Sequence, residues 1–203
     1  MTDEQLMDAQ ALKKSIRQQA HANRQAQADK DELSRTICDK FVALPEFKRA
    51  KTVLVYIDVR TEVRTRHSLP ELLKTQKRIV VPYCVDGELK LFRLDNMEEL
   101  ATGMYKILEP KSELRERPDK RVDARELDLV MAPGVAFDRR GARMGHGFGY
   151  YDKLLEHVRS DAPIVALAFE CQLFPEIPTQ DHDIFMDKIL TERATYEGKG
   201  RGR

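Results

Sequence analysis

The sequence predicts an α/β fold: an open, mostly parallel, doubly wound sheet flanked by helices, with two further helices at the N-terminus. Three observations carry this expectation. Short β-branched apolar runs recur along the chain and read as strands buried on both faces. Helix-period segments separate them, so successive strands are joined by crossovers and lie parallel. One apolar run leads into a glycine-rich basic loop and then a helical pattern, and sheets of this class bind ligands beyond the carboxyl ends of their strands.

Each element has its own signal. Residues 3–28 carry Leu6, Ala9, Leu12 and Ile16 at helical spacing, with Thr2 and Gln5 in a capping-box pattern. A second helix starts near Lys30, sets Leu33, Ile37 and Phe41 one turn apart, and ends before Pro45. Thr52 to Asp58 (TVLVYID) reads as the first buried strand. Ser68 and Glu71 bracket Pro70 as a capping box for a short helix with Leu69, Leu72 and Leu73 on its apolar stripe. Arg78 to Pro82 is the next strand, and Glu88 to Leu94 alternates as an edge strand after an Asp86-Gly87 turn. Leu127 to Ala132 and Ile164 to Phe169 are further buried strands, and Asp187 to Thr191 is a last short one. Residues 108–123, rich in proline and charge, read as a surface loop. Residues 1–196 are expected to form one domain, and 197–203, with the run GKGRGR, a disordered basic tail.

Bulk composition excludes several classes. The 203 residues are 41% hydrophobic, which suits a globular chain with a real core. Thirty-five basic against 34 acidic residues, net +1, argues against a broad basic face for nucleic acid but leaves room for a basic pocket. No apolar run approaches the ~20 residues that span a bilayer, and the opening MTDEQLMDAQALKK lacks an apolar signal core. Cys38, Cys84 and Cys171 are odd in number, lack metal spacing, and read as reduced, mostly buried thiols. A cytoplasmic monomer with no membrane or nucleic-acid partner is expected.

The most informative segment is PGVAFDRRGARMGHGFGYYDKLL, Pro133 to Leu155. Gly134, Gly141, Gly145, Gly147 and Gly149 are interspersed with Arg139, Arg140 and Arg143. Bare main-chain amides and a helix start make an anion cradle, and a phosphate chain is its natural ligand. Neither the dinucleotide fingerprint nor the Walker pattern is met. Of Tyr150 and Tyr151, one is expected to pack inward and the other to stack on a flat ring or bond a phosphate. Asp152, in the first helical turn, is either a partner of the helix dipole or a magnesium ligand. Asp181, Asp183 and Asp187 share that ambiguity, and His182 has no second histidine at metal spacing. His146 either donates to a phosphate or faces solvent. Lys13 and Arg17 share one helical face beside Lys14, which reads as a nucleotide contact or a solvated face. Glu62, taken alone, is a loop carboxylate.

These residues together resemble the 5-formyltetrahydrofolate cyclo-ligase family. The glycine segment resembles that family's Pro-Gly, Phe-Asp, Arg-Leu-Gly and Gly-x-Gly-Tyr-Tyr-Asp pattern. KKSIR (Lys13 to Arg17), EVRT (Glu62 to Thr65), Glu109-Pro110, AFECQ (Ala168 to Gln172) and His182-Asp183 are similar to other family elements, in order, over residues 10–192. Met144 stands where leucine is usual, and His146 where arginine or tyrosine is frequent.

The resemblance implies an enzyme that converts 5-formyltetrahydrofolate to 5,10-methenyltetrahydrofolate with ATP and Mg2+, releasing ADP and phosphate. It implies ATP contacts at Lys13, Lys14, Ser15, Ile16 and Arg17, and along Arg143, Met144, Gly145, His146, Gly147, Phe148, Gly149, Tyr150 and Tyr151. Arg143 and Tyr151 are its implied catalytic residues. Folate contacts are implied at Ile57, Glu62, His146, Gly147, Phe148, Gly149 and Tyr150, and magnesium ligands at Asp152 and Asp183. Phosphoryl transfer needs alignment and charge neutralisation rather than a protein nucleophile. The competing expectations are a non-catalytic nucleotide- or RNA-binding module on the same fold, and a related enzyme acting on another formyl substrate.

Overall fold

The computed structural model describes residues 3–103, 107–180 and 183–201. The expected cap at Thr2 and the residues Asp181 and His182 lie outside them. A 24-residue helix α1 (Asp3–Ala26) precedes α2 (Lys30–Ala43) and the short α3 (Pro45–Arg49). The alternating part then runs β1 (Thr52–Leu54), α4 (Leu69–Leu73), β2 (Arg78–Val85), β3 (Glu88–Leu94), β4 (Leu100–Thr102), β5 (Leu108–Pro110), α5 (Ser112–Arg115) and β6 (Leu129–Ala132). It continues through β7 (Ala136–Asp138), β8 (Arg143–Met144), α6 (Tyr150–Glu156), β9 (Ile164–Leu167), β10 (Leu173–Phe174), β11 (Lys188–Leu190) and β12 (Thr195–Glu197).

The main sheet has seven strands in the order β12-β11-β9-β6-β1-β2-β3. Its inner strands are parallel, and an antiparallel strand closes each edge. Every residue of β1, β6 and β9 is buried, as their β-branched runs demand of strands covered on both faces. Alternate side chains divide between two cores. Val53, Met131 and Leu167 face Ile37, Phe41, Phe47 and Leu72 of the α2–α3–α4 side. Leu54, Val130 and Ala166 face Leu154, Leu155 and Val158 of and just beyond α6. Each such aliphatic side chain stabilises the fold by about 1.5–3 kcal/mol through removal from water. A third cluster packs Ile16 and Ala20 of α1 on Val135, Ala136, Ala142 and Met144. This seats α1 on the small sheet β10-β7-β8.

Several expectations need correction. The first strand is shorter than TVLVYID, because the chain leaves the ladder after Val55 donates to Val80 O at 2.8 Å. Ser68 precedes α4 without a capping side-chain bond, and Glu71 pairs with Lys74 instead. Residues 108–123 form β5, α5 and a 3-10 turn rather than one loop, tied down where buried Lys120 pairs with Asp95 and Glu99. Cys84 is exposed and Cys171 half-buried, so only Cys38 is a buried thiol. Its burial pushes that thiol up to about 11.

Residues 197–201, expected in a disordered tail, run against the body. Glu197 closes β12, Gly198 N donates to Asp187 O at 2.8 Å, and Lys199 N donates to Arg140 O at 2.7 Å. Arg201 Nη1 donates to Val158 O at 2.7 Å, and its Nη2 to Ala162 O at 2.6 Å. The two glycines here are steric: a Cβ at Gly198 would lie 2.1 Å from Met186 O, and one at Gly141 (φ +95°) 2.4 Å from the same oxygen. Gly141→Ala is therefore expected to cost about 2–3 kcal/mol from strain and contact together, a fall in melting temperature of about 4–12 °C for a chain of this size. Thermal unfolding checks it.

Candidate active site

The strand order points to a candidate site. From β1 the chain turns one way to β2, whereas β6 pairs on the other side of β1, so the topological switch point falls between β1 and β6. Loops leaving the carboxyl ends of these strands diverge there. The β1 loop carries Ile57 and Glu62, and the β6 loop leads into Pro133 and Gly134.

The β1 loop is braced from within. Asp58 is 2% exposed, and its carboxylate accepts from Arg66 N at 2.8 Å and Arg66 Nε at 2.9 Å. The buried Tyr56 hydroxyl donates to Val63 O at 3.3 Å. Burial pushes that phenol well above its ordinary range, and the negative charge of Glu62 adds to the shift. So held, Glu62 is 5% exposed. One of its oxygens accepts from Val59 N at 3.0 Å, and the other lies 3.3 Å from His146 Nε2. Ile57 is buried in the core beneath.

The glycine segment does not run straight from strand to helix. It first folds into the β7–β8 hairpin, organised by Asp138, which is fully buried. Its carboxylate accepts from Arg140 N at 2.9 Å, Ala142 N at 3.2 Å, Ile177 N at 2.9 Å and Arg140 Nε at 3.0 Å. Arg140 is thereby spent on Asp138 and Glu176, and Arg139 lies over the Tyr196 ring. Neither arginine lines the loop where its glycines cluster. That loop is residues 143–149.

Gly147 (φ +104°) and Gly149 (φ +70°) adopt left-handed backbone, and Gly149 opens α6. Arg17 Nε reaches across from α1 to Gly145 O at 3.1 Å. Arg143 is 4% exposed at its side chain, paired with Asp152, and lies 5.8 Å over the Tyr151 ring. Its Nε and the buried Tyr151 hydroxyl have no hydrogen-bond partner among the described residues. Tyr151 is thus the inward-packing tyrosine, and burial holds its phenol far above the ordinary range. Tyr150 is half-buried and stacks on the exposed Phe148 at 5.5 Å.

Other predicted residues sit around this centre. Lys13 Nζ lies 4.0 Å from Asp183, whose carboxylate also accepts from Gln180 N at 2.7 Å. Lys14 and Ser15 are exposed, whereas Ile16 and Met144 are core. Asp152 is more than half exposed. Among the described residues no three His, Cys, Asp or Glu side chains are placed to hold a metal ion. A concavity of about 560 Å³ lies at the opposite, amino-terminal ends of the strands. Its walls are cross-paired ions, Arg159 with Asp128 and Lys188 with Glu46, far from the glycine loop in the topology.

Two residues went unread in the sequence. His21 faces His146, ring centroids 5.4 Å apart, and Arg24 is buried behind Glu62's loop. Positions 17, 21 and 24 share one helical face, which was the available signal.

Comparison with known proteins agrees with this fold. The fold is that of an open, mostly parallel α/β protein, a class that holds its ligands at the switch point of the sheet. The model of the 5-formyltetrahydrofolate cyclo-ligase family matches residues 9–192. A 5-formyltetrahydrofolate cyclo-ligase of Mus musculus is 30% identical over 77% of this chain and 80% of its own length. One from Escherichia coli is 28% identical over 82% and 91%. The solved structure of 5,10-methenyltetrahydrofolate synthetase from Aquifex aeolicus superposes with a TM-score of 0.80 at 32% identity, covering 95% of both chains. This chain belongs to the 5-formyltetrahydrofolate cyclo-ligase family.

Burial holds the His21 imidazole below its ordinary value of 6.5; Arg24, His146 and Arg60 push the same way, and Glu62 opposes them. A histidine with a lowered folded-state value takes up its proton more readily when unfolded. Its contribution to stability is therefore whole above 6.5 and lost as pH falls below it. The melting temperature should drop less on acidification below 6.5 in His21→Gln than in the parent. Parallel pH–melting curves check it.

Proposed function

We propose that this chain catalyses the ATP- and Mg2+-dependent cyclisation of 5-formyltetrahydrofolate to 5,10-methenyltetrahydrofolate, with release of ADP and phosphate. One observation supports the reading best. The glycine loop is joined on one side to α1, through Arg17 and Gly145 O, and on the other to Glu62, through His146. A single backbone segment thus borders a basic side suited to phosphates and an acidic side suited to a nitrogen-rich ring.

The formyl group is an amide, and its oxygen is a poor leaving group. Transfer of ATP's terminal phosphoryl to that oxygen releases ADP and makes the oxygen departable as phosphate. The neighbouring anilino nitrogen attacks the formyl carbon and closes the five-membered ring. Phosphate then leaves, and the nitrogen loses its proton. The protein's task is to align oxygen and phosphorus and to spread the charge of the transferring group. Main-chain amides of residues 145–149 and the cations Arg143, Arg17 and Lys13 do this without a protein nucleophile. Glu62 is assigned to the reduced pterin, and the Phe148–Tyr150 stack to a flat ring.

The residues fit the nucleotide and its metal. Arg143 Nε and the Tyr151 hydroxyl are buried polar atoms whose hydrogen bonds a phosphate oxygen would complete. Asp152 and Asp183 would hold Mg2+, which keeps several waters and phosphate oxygens and so needs only one or two carboxylates. When bound, Mg2+ would neutralise charge on the phosphates. Arg143 and Lys13, now paired with those carboxylates, would turn their charge to phosphate instead.

The decisive assay follows methenyltetrahydrofolate absorbance from 5-formyltetrahydrofolate with ATP and Mg2+, and with each omitted. Turnover should require both; its absence in folded protein rejects the reading. Arg143→Ala should lower kcat/KM by about a hundredfold or more, the usual loss on removing one transition-state donor. A rate near that of the parent removes Arg143 from the site.

A further inference from the structure

Arg24 lies two turns beyond Arg17 on α1 and is 1% exposed. A guanidinium keeps its charge in a protein, so its burial must be offset by acceptors. Nε donates to Thr61 Oγ1 at 2.9 Å, and Nη1 to Gly134 O at 3.3 Å. Thr61 immediately precedes Glu62, and Gly134 follows β6. One side chain therefore grips both loops that diverge at the switch point.

The surroundings strengthen that grip. Gln172 Nε2 donates to Gly134 O at 3.0 Å and Val135 O at 2.9 Å, and Asn23 Nδ2 donates to Cys171 O at 3.0 Å. The end of α1 is thus fixed to the same backbone that starts the glycine segment. Glu62 is bonded by Val59 N and faced by His146, while Arg24's bonds go to the hydroxyl next door. Arg24 thus sits beside Glu62 with its bonds on Thr61 and Gly134, leaving the carboxylate oxygens to other partners. Burial works against Arg24's charge, and Glu62 is the largest influence in its favour.

We propose that Arg24 is a positioning residue. By tying the Thr61–Glu62 segment to Gly134 it sets the Glu62 carboxylate against the glycine loop, and so governs binding of the folate substrate more than of the nucleotide. The inference rests on the assignment of Glu62 to folate made above.

The test compares Arg24→Lys, which keeps charge but not the two-pronged grip, with Thr61→Val, which removes one acceptor at constant volume. KM for 5-formyltetrahydrofolate and for ATP are measured separately, with amide hydrogen exchange over residues 60–64 and 134–136. Arg24→Lys should raise the folate KM about tenfold or more, the loss of a hydrogen bond to a charged group, while the ATP KM stays within about threefold. Exchange should rise in both segments. Thr61→Val should raise the folate KM less and quicken residues 60–64 alone. Parallel rises in both KM values, or unchanged exchange in Arg24→Lys, overturn the proposal. Glu62→Gln, measured alongside, separates the two assignments. Raised exchange in Arg24→Lys together with a folate KM indifferent to Glu62→Gln upholds the tether and removes Glu62 from the substrate contacts.

Discussion

Asp138 is a carboxylate with no water to solvate it. Three main-chain amides and the Arg140 guanidinium replace that water. An ion taken so far from solvent is tolerated only when its lone pairs are all engaged, and removing a partner is costly. The ring of donors therefore fixes several things at once: the tight turn at Gly141, the β7–β8 pairing, and the approach of residue 177. Everything downstream inherits this geometry. Arg143 leaves the hairpin at β8, the glycines follow, and α6 begins where Gly149 allows. The glycine segment is thus launched from a buried salt network, and its last residues carry the wide backbone freedom of glycine.

Around this anchor the charged side chains come in exchangeable pairs. Arg143 holds Asp152, and Lys13 faces Asp183. For the proposed reaction such pairing is useful. Each cation and each carboxylate already has a partner, and in the proposed reaction a phosphate and its metal would replace those partners. Asp152, Lys13 and Asp183 meet solvent, which weakens their hold, whereas Arg143 is buried and would need its new partner in place as the old one leaves.

The sequence was most legible where the physics is local. β-branched runs buried on both faces announced β1, β6 and β9, and the Leu33–Ile37–Phe41 spacing announced α2, because periodicity alone determines those elements. The glycine loop was legible as the lead into a helix, and one tyrosine of the pair as inward-packing. The β7–β8 hairpin was not, since strands of two and three residues have no period to read. That omission drew Arg139 and Arg140 into the cradle, although Asp138 and Tyr196 claim them. Arg24 escaped for a related reason. A cation on a polar helix reads as solvated, and only tertiary packing of α1 on two distant loops buries it. The Ser68 cap failed because a capping residue type does not guarantee the capping bond.

The ending GKGRGR shows composition at its most misleading. Its first glycine, Gly198, leaves no room for a Cβ beside Met186 O, and Arg201 caps the carbonyls where the polypeptide leaves α6 for β9. That junction belongs to the amino-terminal rim of the sheet, the rim opposite Glu62 and the glycine loop. Any fusion partner or affinity handle grafted past Arg201 would consequently emerge on the far side from the crevice. Trimming back to Glu197 for convenience would instead unpick the seam that joins the Arg140–Gly141 bend to the foot of α6.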